Sequence, residues 1–418
     1  MICMFTIGIG LFILFFLTNL AGFEVTDSDA LIWVMVVTVA YYISLYASPK
    51  YRNVRLVLMT GFLVRVFIMI WDIYGRSIYK LPYVGTDTEN FYNAAIRFAQ
   101  GQSYWQNPAV VVFGTMAKLF GPSRLLLQFV LMLFSVAAGH LTIRMMSLLH
   151  VDGRSKRNSM WVMALLPNYA LLSSVFLRES LVTLFVTLSL YFFIRWWVGK
   201  GELSFWLAIA IAFLGTIFHS GIVGVVVGYA GIRFLYDRRT DTYKLGTRSI
   251  VVALIFVILF AFLYNRYSSL FFGKMSRIDE LSDIASGYGR GQSSYASIAG
   301  NSRNLFNFII FTPIRIILFL FTPLPFQIRD LSDVIAMVFS AFFYLWVYFF
   351  VLKRVRRSTQ YRHLLISLLI IAISTAFIFG WGGTNIGTNV RHRDKIMPVY
   401  ILLLALSLDC PSRITVVI

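Results

Sequence analysis

Apolar runs about twenty residues long recur along almost the whole chain, and they limit its folds more than any other feature. A helix needs roughly 20 apolar residues to cross the hydrocarbon core of a bilayer. Within lipid, only helices and closed barrels satisfy every backbone polar group. The runs are continuous rather than alternating, which selects helices. They fall near residues 3–22, 30–48, 55–73, 124–146, 160–176, 180–197, 204–218, 220–235, 249–265, 333–352, 363–380 and 396–409. The pattern predicts an all-α integral membrane protein of about twelve transmembrane helices, forming a single polytopic domain over residues 1–418. Composition agrees: 59% of residues are hydrophobic and 13% charged, against roughly a quarter charged in soluble domains. The first run reads as a span rather than a secretory leader, since no Lys or Arg precedes it and a second span follows at once. Cys3 and Cys410 match no metal spacing and read as unpaired. No repeat, low-complexity tract or appended soluble domain is expected.

The 37 Lys and Arg exceed the 18 Asp and Glu, for a net charge of +19. A surplus of this size belongs either to nucleic-acid binding or to membrane orientation. Its location favours orientation. Basic clusters fill residues 49–55, 150–159, 233–248 and 353–362, all between spans. Positive loops stay on the cytoplasmic side, and twelve spans with both termini cytoplasmic put all four clusters there. Nucleic acid is therefore not expected as a partner; the lipid bilayer is. The arrangement holds only if segment 305–325 does not cross completely. Pro313, Pro323 and Pro325 break helices there, so the segment reads as a re-entrant or interfacial hairpin shielded by protein or lining a wet cavity.

The opposite face then collects residues 74–123, 266–304 and 381–395, with sharp turns at Arg178-Glu179 and His219-Ser220. Within the first, residues 106–120 are too short to span comfortably and are expected as an amphipathic helix along the outer surface. So large an outer layer points to work done at that face.

Several groups there can carry chemistry. Asp87 and Glu89 lie in PYVGTDTE, just before an apparent helix. A carboxylate here can serve as general base on a hydroxyl or hold a divalent metal. Thr86 or Asp87 can equally cap the helix. Further on, the stretch GGTNIGTNVRHRDK offers a glycine-rich backbone followed by Arg391, His392, Arg393 and Lys395. Free amides and forked guanidinium groups suit a phosphate; a snorkelling helix anchor is the alternative. Arg178 and Glu179 form a charge pair at membrane depth, either a site or a structural salt bridge. His219 at an outer turn is a weaker candidate, as are Arg65 and Arg315. Residues 266–304, with Tyr288 and Arg290, resemble a loop able to close over a substrate. Walker loops, HExxH, GxSxG and zinc spacings are absent from the sequence, which leaves ATP-driven transport, zinc proteolysis and hydrolase-elbow chemistry without support.

Four stretches together resemble the GT-C superfamily of polytopic glycosyltransferases and the related polysaccharide repeat-unit polymerases. They are DTENFYNAAIRFAQGQ, NPAVVVFGTMAKLFG, LLPNYALLSSVFLRESLV and RHRDKIMP before a Leu-rich final span. The resemblance implies transfer of sugar from a polyprenyl phosphate or diphosphate donor to a hydroxyl of a glycan or lipid-linked acceptor. The reaction would occur at the outer face of a bacterial inner membrane. By the same resemblance Asp87 would deprotonate the acceptor, and Glu89 would assist or share a divalent cation (Mg or Mn). Arg391, His392, Arg393 and Lys395 would hold the lipid phosphate, joined by Arg178 from a facing helix. Glu179, His219, Tyr288 and Arg290 would be substrate-side residues. The chain departs from the family in placing its acidic loop after the third span rather than the first. It also shows no second clear acidic pair, so metal dependence stays open. A transporter or flippase of a lipid-linked saccharide is the competing expectation, and a structural scaffold for polysaccharide export a third.

Overall fold

A computed structural model describes residues 22, 26–82, 85–102, 107–238, 240–243, 246–247, 251, 258, 310–357, 360–382 and 385–409. Almost all of the expected spans near 3–22 and 249–265 lie outside the described residues. So do residues 266–304, with Tyr288 and Arg290, and both cysteines.

The described chain is helical apart from one two-residue antiparallel pair. In order come α1 (Asp27–Ala47), α2 (Arg55–Tyr74), α3 (Thr86–Ala99), α4 (Pro108–Phe120), α5 (Arg124–Leu148), α6 (Gly153–Leu165), α7 (Pro167–Leu172) and α8 (Glu179–Trp197). There follow α9 (Glu202–Phe218), α10 (Val223–Leu235), β1 (Tyr236–Asp237), β2 (Thr242–Tyr243) and α11 (Thr312–Phe321). The last four are α12 (Leu331–Arg357), α13 (Arg362–Gly382), α14 (Ile386–Asp394) and α15 (Met397–Leu408). Among the described residues six helices are long and apolar enough, by length and composition, to cross a membrane: α1, α2, α5, α8, α12 and α13.

The structure departs from the expected spans at particular places. The stretch 160–176 is not one helix, because α6 ends before Leu166 and α7 restarts at Pro167. Proline has no N–H to continue the ladder and pushes its predecessor out of the helical region; Leu166 sits at φ −58°, ψ 114°. Residues 204–218, 220–235 and 396–409 form apolar helices shorter than a full crossing. Of the proposed hairpin, residues 310–325 are described: the ten-residue α11, with Pro313 in its first turn, and the break after it that carries Pro323 and Pro325. The expected loop 381–395 is largely α14.

The chain divides into two compact units, residues 1–139 with 156–181, and residues 140–155 with 182–418. In the first, Gly61 lets α2 approach α6 closely: a Cβ there would lie 2.9 Å from that of Ala164. One turn on, the buried Arg65 uses its whole fork. It donates to the carbonyls of Gly61 (2.9 Å), Ala164 (3.1 Å) and Met163 (3.1 Å), and to Ser173 Oγ (2.9 Å). Met163 is the carbonyl that residue 167 would have satisfied, had it an N–H. Arg65 thus caps the helix that Pro167 terminates, and it is structural rather than the site residue its position suggested.

In the second unit, α10 and α13 pack through Gly224 and Gly228, where a Cβ would come within 2.5 Å of Thr375 Cα and 2.8 Å of Ile371 Cα. Small residues four apart let helix backbones meet in this way. Helix α15 is apolar all round, and Met397 through Leu406 are buried without exception, as such a helix requires. Its end is clasped by polar groups. Asp409 Oδ1 accepts from Asp152 N (2.9 Å), and Tyr361 Oη donates to Asp409 Oδ2 (2.9 Å). Arg354 Nη2 donates to the Asp409 carbonyl (2.5 Å). Burial and the neighbouring Asp152 carboxyl raise the Asp409 carboxyl above its ordinary value. Burial pushes Asp152 up too, but its hydrogen bonds from the Asp409 carboxyl, Ser155 and the Arg154 amide outweigh that and hold it low.

Candidate functional site

In the first unit the acidic motif opens α3. Gly85, rather than Thr86 or Asp87, occupies the cap position of α3. Asp87 and Glu89 stand in the first helical turn, where negative charge is favoured by the helix dipole. Their settings differ. Glu89 accepts from Arg124 Nη1 at 2.8 Å on both oxygens and also from Arg76. Those arginines meet the fully buried Asp72, which accepts from Arg76 Nε (3.0 Å) and Nη2 (2.8 Å) and from Gln128 Nε2 (3.0 Å). Burial pushes the Glu89 carboxyl up, but the guanidinium groups of Arg124 and Arg76 outweigh it and hold it below the usual carboxylate range. Glu89 is therefore a fixed anion within a balanced network of two acids and two arginines. That donor set does not fit a divalent cation, because the carboxylate oxygens are already neutralised. Among the described residues no group of three or more His, Cys, Asp or Glu is placed to hold a metal.

Asp87, by contrast, is exposed. Phe91 follows it by one turn on the same face of α3, and the Arg178 guanidinium lies over the Phe91 ring, 5.8 Å from its centroid. The half-buried Arg178 thus comes to the helix that carries Asp87. Glu179 is buried as the first residue of α8.

In the second unit the expected glycine-rich concavity is instead, over residues 386–394, the helix α14. Asn385 caps it, its side chain accepting from Thr388 N at 3.3 Å, and Ile386 and Val390, one turn apart, are buried. Coiling separates the four expected phosphate ligands. Arg391 and His392 are half-buried. Arg393 is fully buried, donates to the carbonyls of Leu320 (2.6 Å) and Thr322 (2.5 Å), and lies 5.5 Å from the Tyr344 ring centroid. It closes the end of α11, where Leu324 N has turned to Gln327 Oε1 (2.8 Å) instead of continuing the helix. Lys395 is also buried. Neither Arg393 nor Lys395 lies at an open lip, and Arg391 and His392 are half-buried.

His219 joins them. Its Nε2 lies 3.1 Å from His392 Nε2, and its Nδ1 accepts from Gly221 N at 3.3 Å. Both imidazoles flank Phe379, with centroids 5.2 Å and 4.8 Å from that ring, and Phe379 stacks on Phe319 at 5.5 Å. Gly221 is required here, since a Cβ would overlap the Phe379 ring. Phe379 and Gly221 carry no chemical signal in sequence and were not anticipated. Arg76 and Arg124 had one: they are cations at or beside the two ends of residues 74–123, the segment expected on the outer face, against the positive-inside trend.

Comparison with protein-family models, with curated proteins and with solved structures finds no match in any of the three.

Proposed function

We propose that the protein is a membrane-embedded glycosyltransferase or repeat-unit polymerase. It moves sugar from a polyprenyl phosphate or diphosphate donor to an acceptor hydroxyl, at the outer face of a bacterial inner membrane. The observation that carries the reading is the division of labour on α3. Glu89 is held by Arg124 and Arg76, and Asp87 is exposed, one turn from the residue over which Arg178 lies. An exposed carboxylate can take the acceptor proton. The Arg178 guanidinium near it suits phosphate oxygens and the charge that builds on a phosphate leaving group; in the second unit, taken by itself, Arg391 and His392 are groups of the same chemistry.

A transporter of lipid-linked saccharide draws on the proline-broken helices, since transporters bind substrate at such breaks through exposed helix ends. Here the breaks at Pro167 and Pro323 have carbonyls closed by Arg65 and Arg393, which favours the enzyme. The test is transfer by purified protein from polyprenyl-diphosphate-linked sugar. Asp87→Asn should lower the rate about 100-fold or more, the scale of a lost general base. Unchanged rates in Asp87→Asn and Arg178→Met would refute the assignment.

A further inference from the structure

At one end of the second unit, two arginines from different helices meet on a single tyrosine ring. Tyr191 is buried in α8. Arg195 follows it by one turn, its guanidinium 5.9 Å from the Tyr191 centroid and 5.6 Å from that of Phe192. Arg144, one turn before the end of α5, brings a second guanidinium to 5.2 Å from the Tyr191 centroid. Arg144 is exposed and Arg195 half-buried. Among the described residues neither guanidinium has a carboxylate or hydrogen-bond partner, so their N–H groups are open. The same end of α8 carries Arg238, 5.9 Å from the Trp196 centroid, and the exposed Lys200. Glu202, the first residue of α9, is already engaged: it lies 3.7 Å from Arg233 and accepts from Trp196 Nε1 at 3.2 Å.

A single cation at the end of a span is explained by snorkelling or by the helix dipole. Neither effect draws guanidinium groups from two helices to one ring, where their charges repel and the negative face of the tyrosine offsets the repulsion only in part. An anion held by both completes the balance. Its chemistry follows from the setting. The guanidinium fork matches phosphate oxygens. Helices α5 and α8 are both long and apolar enough to span, which puts their ends at the depth of lipid headgroups. The half-buried Trp197 and the exposed Trp206 stand beside them, as aromatics do at that depth.

We propose that Arg144 and Arg195, gathered on Tyr191, hold the phosphate of an anionic phospholipid headgroup. Two open cations favour a headgroup of net negative charge over a zwitterionic one. The site lies wholly within the second unit and uses no residue assigned to sugar transfer, so its fate is separate from that of the proposed reaction.

Native mass spectrometry of the full chain, released from micelles with added phosphatidylglycerol or phosphatidylcholine, tests the site. The parent should bind phosphatidylglycerol about tenfold more tightly than phosphatidylcholine. Arg144→Gln and Arg195→Gln should each weaken phosphatidylglycerol about fivefold, the scale of one cation at a membrane surface. Arg144→Lys keeps the charge and should stay within about twofold of the parent. Lys353→Gln removes an exposed cation near the end of another span, α12, and should leave the preference intact. Size exclusion checks that each variant is folded, and the parent's own headgroup preference needs no variant. Inorganic phosphate, added as competitor at matched ionic strength, should leave the lipid bound. Equal binding of the two lipids by the parent overturns the proposal, as does an equal loss in Lys353→Gln and Arg144→Gln. Displacement of the lipid by an equal concentration of inorganic phosphate overturns it too, because the site would then serve free phosphate.

Discussion

Replacing Arg65 by methionine removes a guanidinium fork that serves four oxygens at once. The consequences are unequal. The Gly61 carbonyl lies one turn back in Arg65's own helix and keeps its place in the ladder, and Ser173 Oγ still donates to the Ala170 carbonyl. Met163 and Ala164 lose more, because the chain turns away at Leu166 and Pro167 brings no N–H. Two buried carbonyls left unmatched cost about 1–3 kcal/mol each. Removing a buried cation recovers part of that through its desolvation penalty, and methionine nearly preserves the volume. A net loss of about 2 kcal/mol is expected. The reasoning has an internal control. Pro167→Ala restores the N–H that the Met163 carbonyl lacks, so Arg65→Met should cost about 1 kcal/mol less in that background, a coupling expected of residues sharing a partner. Unfolding in mixed micelles titrated with dodecyl sulfate, followed by tryptophan fluorescence, measures all four variants. A cost for Arg65→Met below about 0.5 kcal/mol, or the same cost with and without Pro167, would refute the capping argument.

Three further outcomes are expected. Gly228→Leu should separate α10 from α13, because its side chain would enter the Ile371 backbone; loss of the folded, monodisperse protein by size exclusion checks it, and wild-type behaviour would contradict it. Asp409→Asn should act through pH. The raised carboxyl of Asp409 contributes stability below the unfolded carboxylate value of about 3.9 and loses it as pH rises through its folded value. Asp152, held low, contributes above that value and loses it as pH falls. Asparagine stays neutral, so the variant's thermal midpoint should exceed the parent's at pH 7–8 and converge with it near pH 4; a constant offset would contradict the raised Asp409 carboxyl. Glu89→Gln should lower stability by about 1 kcal/mol, a discounted value for a partly exposed pair, while transfer per folded molecule stays near the parent's. A loss matching that of Asp87→Asn would show that Glu89 also works in the reaction.

The long helices were legible because bilayer thickness imposes a length that apolar runs reveal directly. The breaks were less so. Pro167 is visible in sequence, but apolar residues on both sides hide the interruption, and its cap comes from Arg65, about a hundred residues away. The stretch from Gly387 to Asp394 is poor in helix formers and reads as a loop. Burial of Ile386 and Val390 one turn apart, with Asn385 at the cap, overrides that propensity. The same folding explains why the candidate site was half-legible. A charge beside a span can bind a ligand or close a helix end, and sequence does not separate the two: Arg391 and Arg393 differ only in which way the turn of α14 directs them. Asp87 and Glu89 likewise differ through Arg76 and Arg124, whose approach depends on packing between helices.

Cleavage of the sugar–phosphate bond tests the central claim most directly. Purified protein in sealed liposomes is given a polyprenyl-diphosphate-linked saccharide and an acceptor glycan, and mass spectrometry follows the lipid. The account predicts acceptor-dependent release of sugar-free polyprenyl diphosphate with an extended acceptor, abolished by Asp87→Asn. Movement of intact lipid-linked saccharide between leaflets, with the sugar–phosphate bond unbroken and Asp87→Asn without effect, would contradict it.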